Sequence, residues 1–334
     1  MRIGLAGVGR IGAFHARTLL GVPAVESLVV CDADQQAAAA VAKELDAEHV
    51  ADVETLLRAG LDGFVIAAAT PAHAPMLRLA IEAGVPTFCE KPVAHTLEET
   101  LELARLAATS EVPVHIGFQR RFDAGYRRVQ EAIAGGELGF VHTIRANTHD
   151  QSPPHASYIP TSGGIFRDCN VHDYDAIRFV TGREVVTAYA TGGNKGEAFF
   201  AEAGDVDTGA AVLTLDDGTM CLVSSTRYNG GGHDVRLEAM GSKATLTAGL
   251  DDSLAMRSAE PGETFPAGPP HQTFMDRFQP AYVAELTAFA EVAKGVTPSP
   301  CTVADALQAF RTAEACDVSR REGRVVQLAE VPDL

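Results

Sequence analysis

Three glycines near the start of the chain are spaced as a phosphate-binding turn requires. Gly7, Gly9 and Gly12 follow a short apolar run and fit the pattern Gly-x-Gly-x-x-Gly. The first glycine of this pattern permits a tight turn, the second lets the backbone approach a pyrophosphate, and the third allows close packing of a helix on a strand. Asp32 ends the next apolar run, about 20 residues further on, where its carboxylate can bind a ribose 2′-hydroxyl. Together these four residues predict a dinucleotide site.

The acid also selects between the two common dinucleotides. The carboxylate of Asp32 would repel a 2′-phosphate, and the next residues, Ala33 and Asp34, provide no arginine to bind one. The sequence therefore favours NAD over NADP. A glycine-rich turn in another kind of α/β protein is the alternative interpretation.

Lys91 stands in the segment Cys89-Glu90-Lys91-Pro92, directly after another apolar run. A lysine held there by the rigid proline can bind a substrate hydroxyl and stabilise negative charge that develops on its oxygen. A surface lysine without a catalytic role is the alternative.

Asp168 and His172 are four residues apart in a predicted helix, so their side chains lie on one face of it. Removing a hydride from a carbon that bears a hydroxyl also requires removal of the hydroxyl proton, and histidine is the natural base near neutral pH. Asp168 could orient the histidine or bind a second hydroxyl. Two alternatives stay open: a surface pair without chemistry, and two metal ligands, for which no third ligand is evident.

The length and composition of the chain indicate how many domains it has, which binding partners are excluded and where in the cell it is expected. The 334 residues exceed the usual size of one domain, so two domains are expected. No run of Lys or Arg offsets the formal net charge of -17, which argues against nucleic acid and anionic membranes. The six cysteines are scattered and suit neither a metal site nor a disulfide framework. With no membrane-spanning apolar run and no signal-peptide pattern, we expect a cytoplasmic protein.

Strands and helices alternate in the first domain, which we place at residues 1–118. Apolar runs predict strands at 3–6, 28–31, 63–67, 85–89 and 112–117, and Thr96 with Glu99 predicts a capping box at the start of a helix. This order predicts a doubly wound parallel sheet of the Rossmann type, which binds ligands at the carboxyl ends of its strands. The residues expected to bind the dinucleotide collect at that edge: Gly7, Gly9, Arg10, Ile11, Gly12, Asp32, Ala69, Thr70, Pro71, His73, Glu90 and Lys91.

A second domain, placed at residues 119–334, shows longer alternating strands. In residues 233–240 apolar side chains alternate with polar ones, beginning with Asp234, which predicts a strand with one polar face. Helices are predicted at 166–181, 280–294 and 303–321, hairpin turns at 215–219 and 240–243, and a short last strand at 325–327. We expect an α+β domain with a large, mostly antiparallel sheet. Whether its last helices pack back on the first domain stays open.

The motifs taken together resemble those of one family. The set comprises the glycine fingerprint, Thr70-Pro71, Cys89-Glu90-Lys91-Pro92, the segments 117–122 (GFQRRF) and 149–154 (HDQSPP), and 162–173, which ends in Arg-Asp-x-x-x-His-Asp. It is similar to the glucose-fructose oxidoreductase/inositol dehydrogenase (Gfo/Idh/MocA) family over essentially the whole chain, and nearest to the inositol 2-dehydrogenase branch.

The resemblance implies the NAD-dependent oxidation of a polyol or sugar. It assigns the catalytic roles to Lys91, Asp168 and His172, with no metal. Six further residues fall at substrate-contacting positions: Gln119, Arg120, Asp150, Tyr158, Cys169 and Tyr228. Cys169 replaces part of a threonine-containing pair found in many inositol dehydrogenases, so polyol oxidation is implied more strongly than any one inositol. The family's open sheet also implies a homodimer or homotetramer.

Three functions are therefore compared. The favoured one is oxidation of a secondary hydroxyl of a cyclitol, such as myo- or scyllo-inositol, to a ketone. An aldose or other sugar dehydrogenase of the same family would instead form a lactone. A non-catalytic NAD-binding regulator would have no need of Lys91, Asp168 and His172.

Overall fold

The computed structural model describes all 334 residues, Met1 to Leu334. By compactness the chain divides into two units. The first comprises residues 1–119, 280–307 and 334, and the second comprises residues 120–279 and 308–333. None of the helices combines the length and the apolar character that a membrane crossing needs.

The first unit contains a parallel sheet of six strands in the order β3-β2-β1-β4-β5-β6. The strands are β1 (Arg2–Ala6), β2 (Ser27–Cys31), β3 (Glu48–His49), β4 (Gly63–Ile66), β5 (Thr87–Glu90) and β6 (Val114–Gly117). This order confirms the predicted doubly wound sheet, and the strand order reverses between β1 and β4, which creates a crevice at their carboxyl ends. The prediction missed β3, because two exposed residues carry no apolar pattern.

Helices cover this sheet and bury its strands on both faces. They are α1 (Arg10–Leu20), α2 (Gln35–Leu45), α3 (Val53–Leu57), α4 (His73–Glu82) and α5 (Leu97–Thr109). The predicted capping box is confirmed at α5, where the Thr96 hydroxyl accepts the Glu99 N–H and Glu99 accepts the Thr96 N–H. Because both faces are covered, strands such as β4 are apolar and buried at every residue.

The second unit contains seven strands in the order β12-β11-β7-β10-β9-β8-β13, all antiparallel to their neighbours except the pair β7 and β10. The strands are β7 (Val141–His149), β8 (Val185–Gly193), β9 (Thr208–Leu215), β10 (Met220–Thr226), β11 (Asp234–Gly241), β12 (Thr245–Ala248) and β13 (Val326–Gln327). The mostly antiparallel sheet is confirmed. Asp234 was expected on the polar face of its strand and is instead buried, because it forms an ion pair with Arg236.

The remaining helices are α6 (Ala124–Ala134), α7 (Val171–Thr181), α8 (Phe199–Glu202), α9 (Phe274–Ala293) and α10 (Val303–Glu322). One predicted boundary was wrong, and one predicted helix begins with an unexpected type of turn. The helix expected to start at Pro280 starts at Phe274, because Thr273 and Asp276 cap it and the proline is tolerated inside it. The helix expected to start at Phe166 begins with a π-helical turn over Phe166–Asn170, and only then continues as α7.

One face of the seven-stranded sheet is buried and the other is open to solvent. Ile144, Leu213 and Cys221 are fully buried. On the other face, Tyr189 on β8, Val212 on β9 and Leu222 on β10 occupy paired positions of neighbouring strands and are each about two-fifths exposed. The second unit therefore presents an apolar row on its open face.

Candidate active site

The glycine turn between β1 and α1 has the shape that a bound pyrophosphate needs. Gly7 has a φ of 93°, and a Cβ on it would lie 2.5 Å from the backbone of Ala68. A Cβ on Gly12 would lie 1.7 Å from the carbonyl oxygen of Gly7. A Cβ on Gly9, in contrast, would meet nothing within 4 Å, and no side chain caps the helix that starts after it. The turn is closed where helix and strand meet, and open where an anion would approach the helix start.

Asp32 lies at the end of β2 and its carboxylate is oriented by backbone amides. Oδ2 accepts the Val8 N–H at 2.7 Å, and Oδ1 accepts the Asp34 N–H at 2.9 Å. A carboxylate oxygen has two lone-pair sites, so each of these oxygens can also accept a ribose hydroxyl. The glycine turn and Asp32 thus fit the two ends of an adenosine diphosphate moiety, as predicted for NAD.

Lys91 follows β5 in a turn that two buried histidines brace. His15 Nε2 lies 2.6 Å from Glu90 Oε1, and the Lys91 N–H donates to Glu90 Oε2 at 3.2 Å. On the other side, His73 Nδ1 lies 2.7 Å from the carbonyl oxygen of Pro92, while its Nε2 lies 2.9 Å from that of Ala68. His73, predicted to bind the cofactor, thus has both ring nitrogens against backbone carbonyls. His15 belongs to no recognised motif and was not predicted to have a role.

The other predicted cofactor residues also follow strands of the parallel sheet. Ala69, Thr70 and Pro71 lie between β4 and α4, where residues 70–72 form a 3₁₀ turn. Arg10 and Ile11 are the first residues of α1. Their positions are those of a Rossmann-type ligand edge.

In the second unit, Asp168 lies in the π-helical turn and His172 in the first turn of α7. The Asp168 carboxylate accepts the Tyr158 hydroxyl at 2.9 Å through Oδ1, and an Nη2–H of Arg227 through Oδ2. Its own N–H donates to the carbonyl of Gly164. Single π turns within α-helices occur frequently at functional sites.

Arg227 joins Asp168 to a second acid. Its Nη1 donates to Asp150 Oδ2 at 3.0 Å, and Asp150 Oδ1 lies 3.3 Å from Nδ1 of His233. The Cys169 thiol lies 3.7 Å from the same Oδ2. Four predicted residues, Asp150, Tyr158, Asp168 and Cys169, are therefore brought together around an arginine that was not predicted.

Burial and the neighbouring charges shift the pKa values of Asp150 and Arg227 in opposite directions. Burial alone would raise the pKa of Asp150, but the hydrogen bond with His233 and the charge of Arg227 outweigh it and hold that pKa below its usual value. Burial acts against the charged form of Arg227, yet Cys169 and the two carboxylates raise its pKa well above the ordinary value. Burial and the Asp168 carboxylate raise the pKa of Tyr158, so its hydroxyl remains a donor. The charged forms of Arg227 and Asp150 are thus mutually stabilised.

Three other predicted substrate contacts have hydrogen-bond partners or positions outside the group around Arg227. Arg120 is buried and donates to Asp173 and to Thr148 Oγ1. The Tyr228 hydroxyl accepts the Glu197 N–H at 3.0 Å. Gln119 is buried just after β6. Their roles toward a substrate stay predictions.

Two family models match the chain. Residues 1–118 match the model described as an oxidoreductase family with an NAD-binding Rossmann fold, and residues 126–247 match the Gfo/Idh/MocA C-terminal domain. A myo-inositol dehydrogenase of Streptomyces leeuwenhoekii is 37% identical over 328 residues, which cover 97% of this chain and 99% of that protein. The chain belongs to the Gfo/Idh/MocA family.

Solved structures of this family superpose on the whole chain. A myo-inositol dehydrogenase of Corynebacterium glutamicum is 32% identical with a TM-score of 0.91, and covers 98% of both chains. A scyllo-inositol dehydrogenase of Lactobacillus casei, solved with NAD(H) and scyllo-inositol, is 28% identical with a TM-score of 0.88 and covers 98% of this chain and 99% of that one. The predictions of family, of an NAD-binding fold and of an oxidoreductase are confirmed.

Proposed function

We propose that the protein oxidises one secondary hydroxyl of a cyclitol to a ketone, in the manner of an inositol 2-dehydrogenase. The observation that carries this proposal is the Asp168 carboxylate, hydrogen-bonded by Tyr158 and Arg227, four residues before His172. The relatives named as inositol dehydrogenases, among them one solved with NAD(H) and scyllo-inositol, support this substrate class.

Each residue has one task in the reaction. NAD, when bound, supplies the acceptor for the hydride that leaves the carbon. His172 takes the hydroxyl proton as general base while the carbon loses a hydride, so that the CH–OH group loses two electrons and two hydrogens in total and becomes a ketone. Lys91 binds the reacting oxygen and stabilises its negative charge. Asp168 orients His172 or binds the adjacent hydroxyl.

A panel of substrates tests the proposal. Purified protein with NAD is assayed for NADH formation with myo-inositol, scyllo-inositol, other cyclitols and several aldoses, and the product is identified as a ketone or a lactone. NADH formation with at least one cyclitol, giving a ketone, is expected. Activity confined to aldoses would make it a sugar dehydrogenase, and no turnover with any compound would indicate an NAD-binding regulator.

We further propose that the protein is a cytoplasmic homo-oligomer. The apolar row of Tyr189, Val212 and Leu222 on the open sheet face supports association with a second copy. The six cysteines are all buried thiols, which suits a reducing compartment. Sedimentation should show a dimer or tetramer, and a purely monomeric protein at micromolar concentration would contradict the assembly.

A further inference from the structure

Arg227 stands at the centre of a chain of polar groups that runs through the second unit. The order is Tyr158, Asp168, Arg227, Asp150 and His233, joined by contacts of at most 3.3 Å. The side chain of Arg227 is 5% exposed, that of Asp168 12% and that of Asp150 24%. One guanidinium therefore separates two acids that are largely removed from water.

The backbone fixes the position of this arginine. Its N–H donates to the carbonyl of Asp207 at 2.8 Å. The neighbouring Thr226 carbonyl accepts the Asp150 N–H at 2.9 Å, and the Asp150 carbonyl accepts the Asn229 N–H at 2.7 Å. The arginine and one of its acids are thus fixed before any substrate binds.

A guanidinium suits this place for two separate reasons. Its charge reduces the summed charge of the two carboxylates from minus two to minus one, which favours their ionised forms. Its planar fork directs one nitrogen to each acid and so sets the orientation of both, which a single ammonium cannot do. Charge and geometry can therefore be removed independently by substitution.

We propose that Arg227 is a positioning residue, which keeps the Asp168 carboxylate ionised and correctly oriented for the base His172. The proposal rests on the proposed function for the role of His172. Arg227 itself acts through Asp168 and takes no part in proton or hydride transfer.

The titratable and charged groups that face Arg227 come from several segments. They are Asp150, Tyr158, Asp168, Cys169, Asp205 and His233. The net charge of these groups together with residue 227 becomes more negative by one when the arginine is replaced by a neutral residue. Because a more negative surrounding favours an imidazolium, the base should then retain its proton to higher pH.

Three variants separate charge from geometry. Arg227→Gln removes both, Arg227→Lys keeps the charge and loses the fork, and the double variant Arg227→Gln/Asp150→Asn restores the net charge without the fork. The readouts are kcat, the acidic limb of the kcat/KM profile against pH, and the Kd for NADH. Arg311→Gln serves as the control for kcat, the acidic limb and the Kd, since Arg311 is also a buried arginine, paired with Asp333 at 2.7 Å and bonded to the carbonyls of Leu328 and Val331.

The pH of the acidic limb should depend on the net charge around His172, and kcat should depend on the orientation of the Asp168 carboxylate. We expect Arg227→Gln to move the acidic limb up by about one pH unit and to lower kcat/KM about 10²-fold. The lysine and double variants should keep the limb near its original pH and still lose about tenfold in kcat. The Kd for NADH should stay within about twofold throughout. An unmoved limb in Arg227→Gln, or a lysine variant with unchanged kcat, would overturn the proposal.

A readout without turnover keeps the proposal testable if no cyclitol is oxidised or if Arg227→Gln folds poorly. The melting temperature Tm of the wild type and of Arg227→Lys and Arg227→Gln is compared between about pH 8 and about pH 2.5, which extends below the ordinary pKa of an aspartate of about 3.9. Because Arg227 lowers the pKa of Asp150, the stability it provides is present at neutral pH and is lost as the pH falls through that pKa. The Tm difference between wild type and Arg227→Gln should therefore shrink on acidification, whereas a difference independent of pH would contradict the proposal. If the Tm difference shrinks on acidification but no cyclitol is oxidised, the result supports the proposed effect of Arg227 on the neighbouring carboxylates and rejects the proposed substrate.

Discussion

The two units provide their functional residues by different physical means. In the first unit the ligand edge consists mostly of backbone: a glycine turn, the free start of α1 and a carboxylate oriented by two amides. In the second unit the candidate site residues are side chains with opposite charges, packed together around the buried Arg227. Binding of the dinucleotide by the first arrangement should therefore depend more on the shape of the backbone than on charge. The second depends on charge balance and should be sensitive to the loss of any single member.

The largest effect is expected from His172→Ala, which removes the base. The loss in kcat/KM should be about 10² to 10⁴-fold, and the limb that reports its ionisation should disappear. Asp168→Ala should be nearly as damaging, and the double variant should lose much less than the two losses combined, because groups that act as a unit are not additive. If each single variant shows normal kinetics and only a small loss of stability, Asp168 and His172 are a surface pair without a catalytic role. The second unit would then not depend on charged side chains for the reaction.

Lys91→Ala tests whether the first unit also provides a charge to the reaction. We expect kcat to fall by about 10² or more, because one donor to a developing oxyanion is worth about 2.7 to 4 kcal/mol. The Kd for NADH, measured by fluorescence titration, should be nearly unchanged. An unchanged kcat would make Lys91 a structural residue of its turn and would restrict the chemistry to the second unit.

A matched pair of glycine variants tests the role of shape in the first unit. Gly12→Ala should destabilise the protein by about 1 to 3 kcal/mol, because its Cβ would overlap the carbonyl oxygen of Gly7. Gly9→Ala should leave Tm unchanged, since its Cβ meets no protein atom, but should weaken NADH binding about tenfold, or about 1.4 kcal/mol. Equal losses of Tm in the two variants would show that the open position near Gly9 is not kept for a ligand.

The smallest effect is expected from Asp32, whose carboxylate at the cofactor edge favours NAD over NADP. Asp32→Ala should narrow the preference for NAD over NADP by roughly tenfold, about 1.4 kcal/mol, because the repulsion of a 2′-phosphate and a ribose hydrogen bond are lost together. The ratio of kcat/KM values for the two cofactors measures it. Equal use of both cofactors by the wild type would refute the role of Asp32.

The sequence allowed the parallel sheet and the glycine turn to be predicted because both follow from neighbouring residues. Gly7, Gly9 and Gly12 lie within one turn, and the alternation of apolar runs with helices permits few topologies. The two failures have different causes. The two-residue strand β3 carries no local pattern and is decided by pairing with β2. The start of α9 does carry a local signal, the cap formed by Thr273 and Asp276, but the prediction began the helix at Pro280 instead.

What the sequence by itself determined is the family of folds, the cofactor edge and the acid–histidine pair, since each is a short motif with fixed spacing. Only the tertiary structure decided how the pair is supported. Arg227 is 59 residues from Asp168 and 77 from Asp150, and His15 is 75 from Glu90, so no spacing rule connects them. The neighbouring Tyr228 was singled out from the sequence, and its role toward a substrate stays a prediction; in the structure its hydroxyl accepts the N–H of Glu197. Long-range ion pairs depend on which segments the sheet brings together, and that information exists only after the chain has folded.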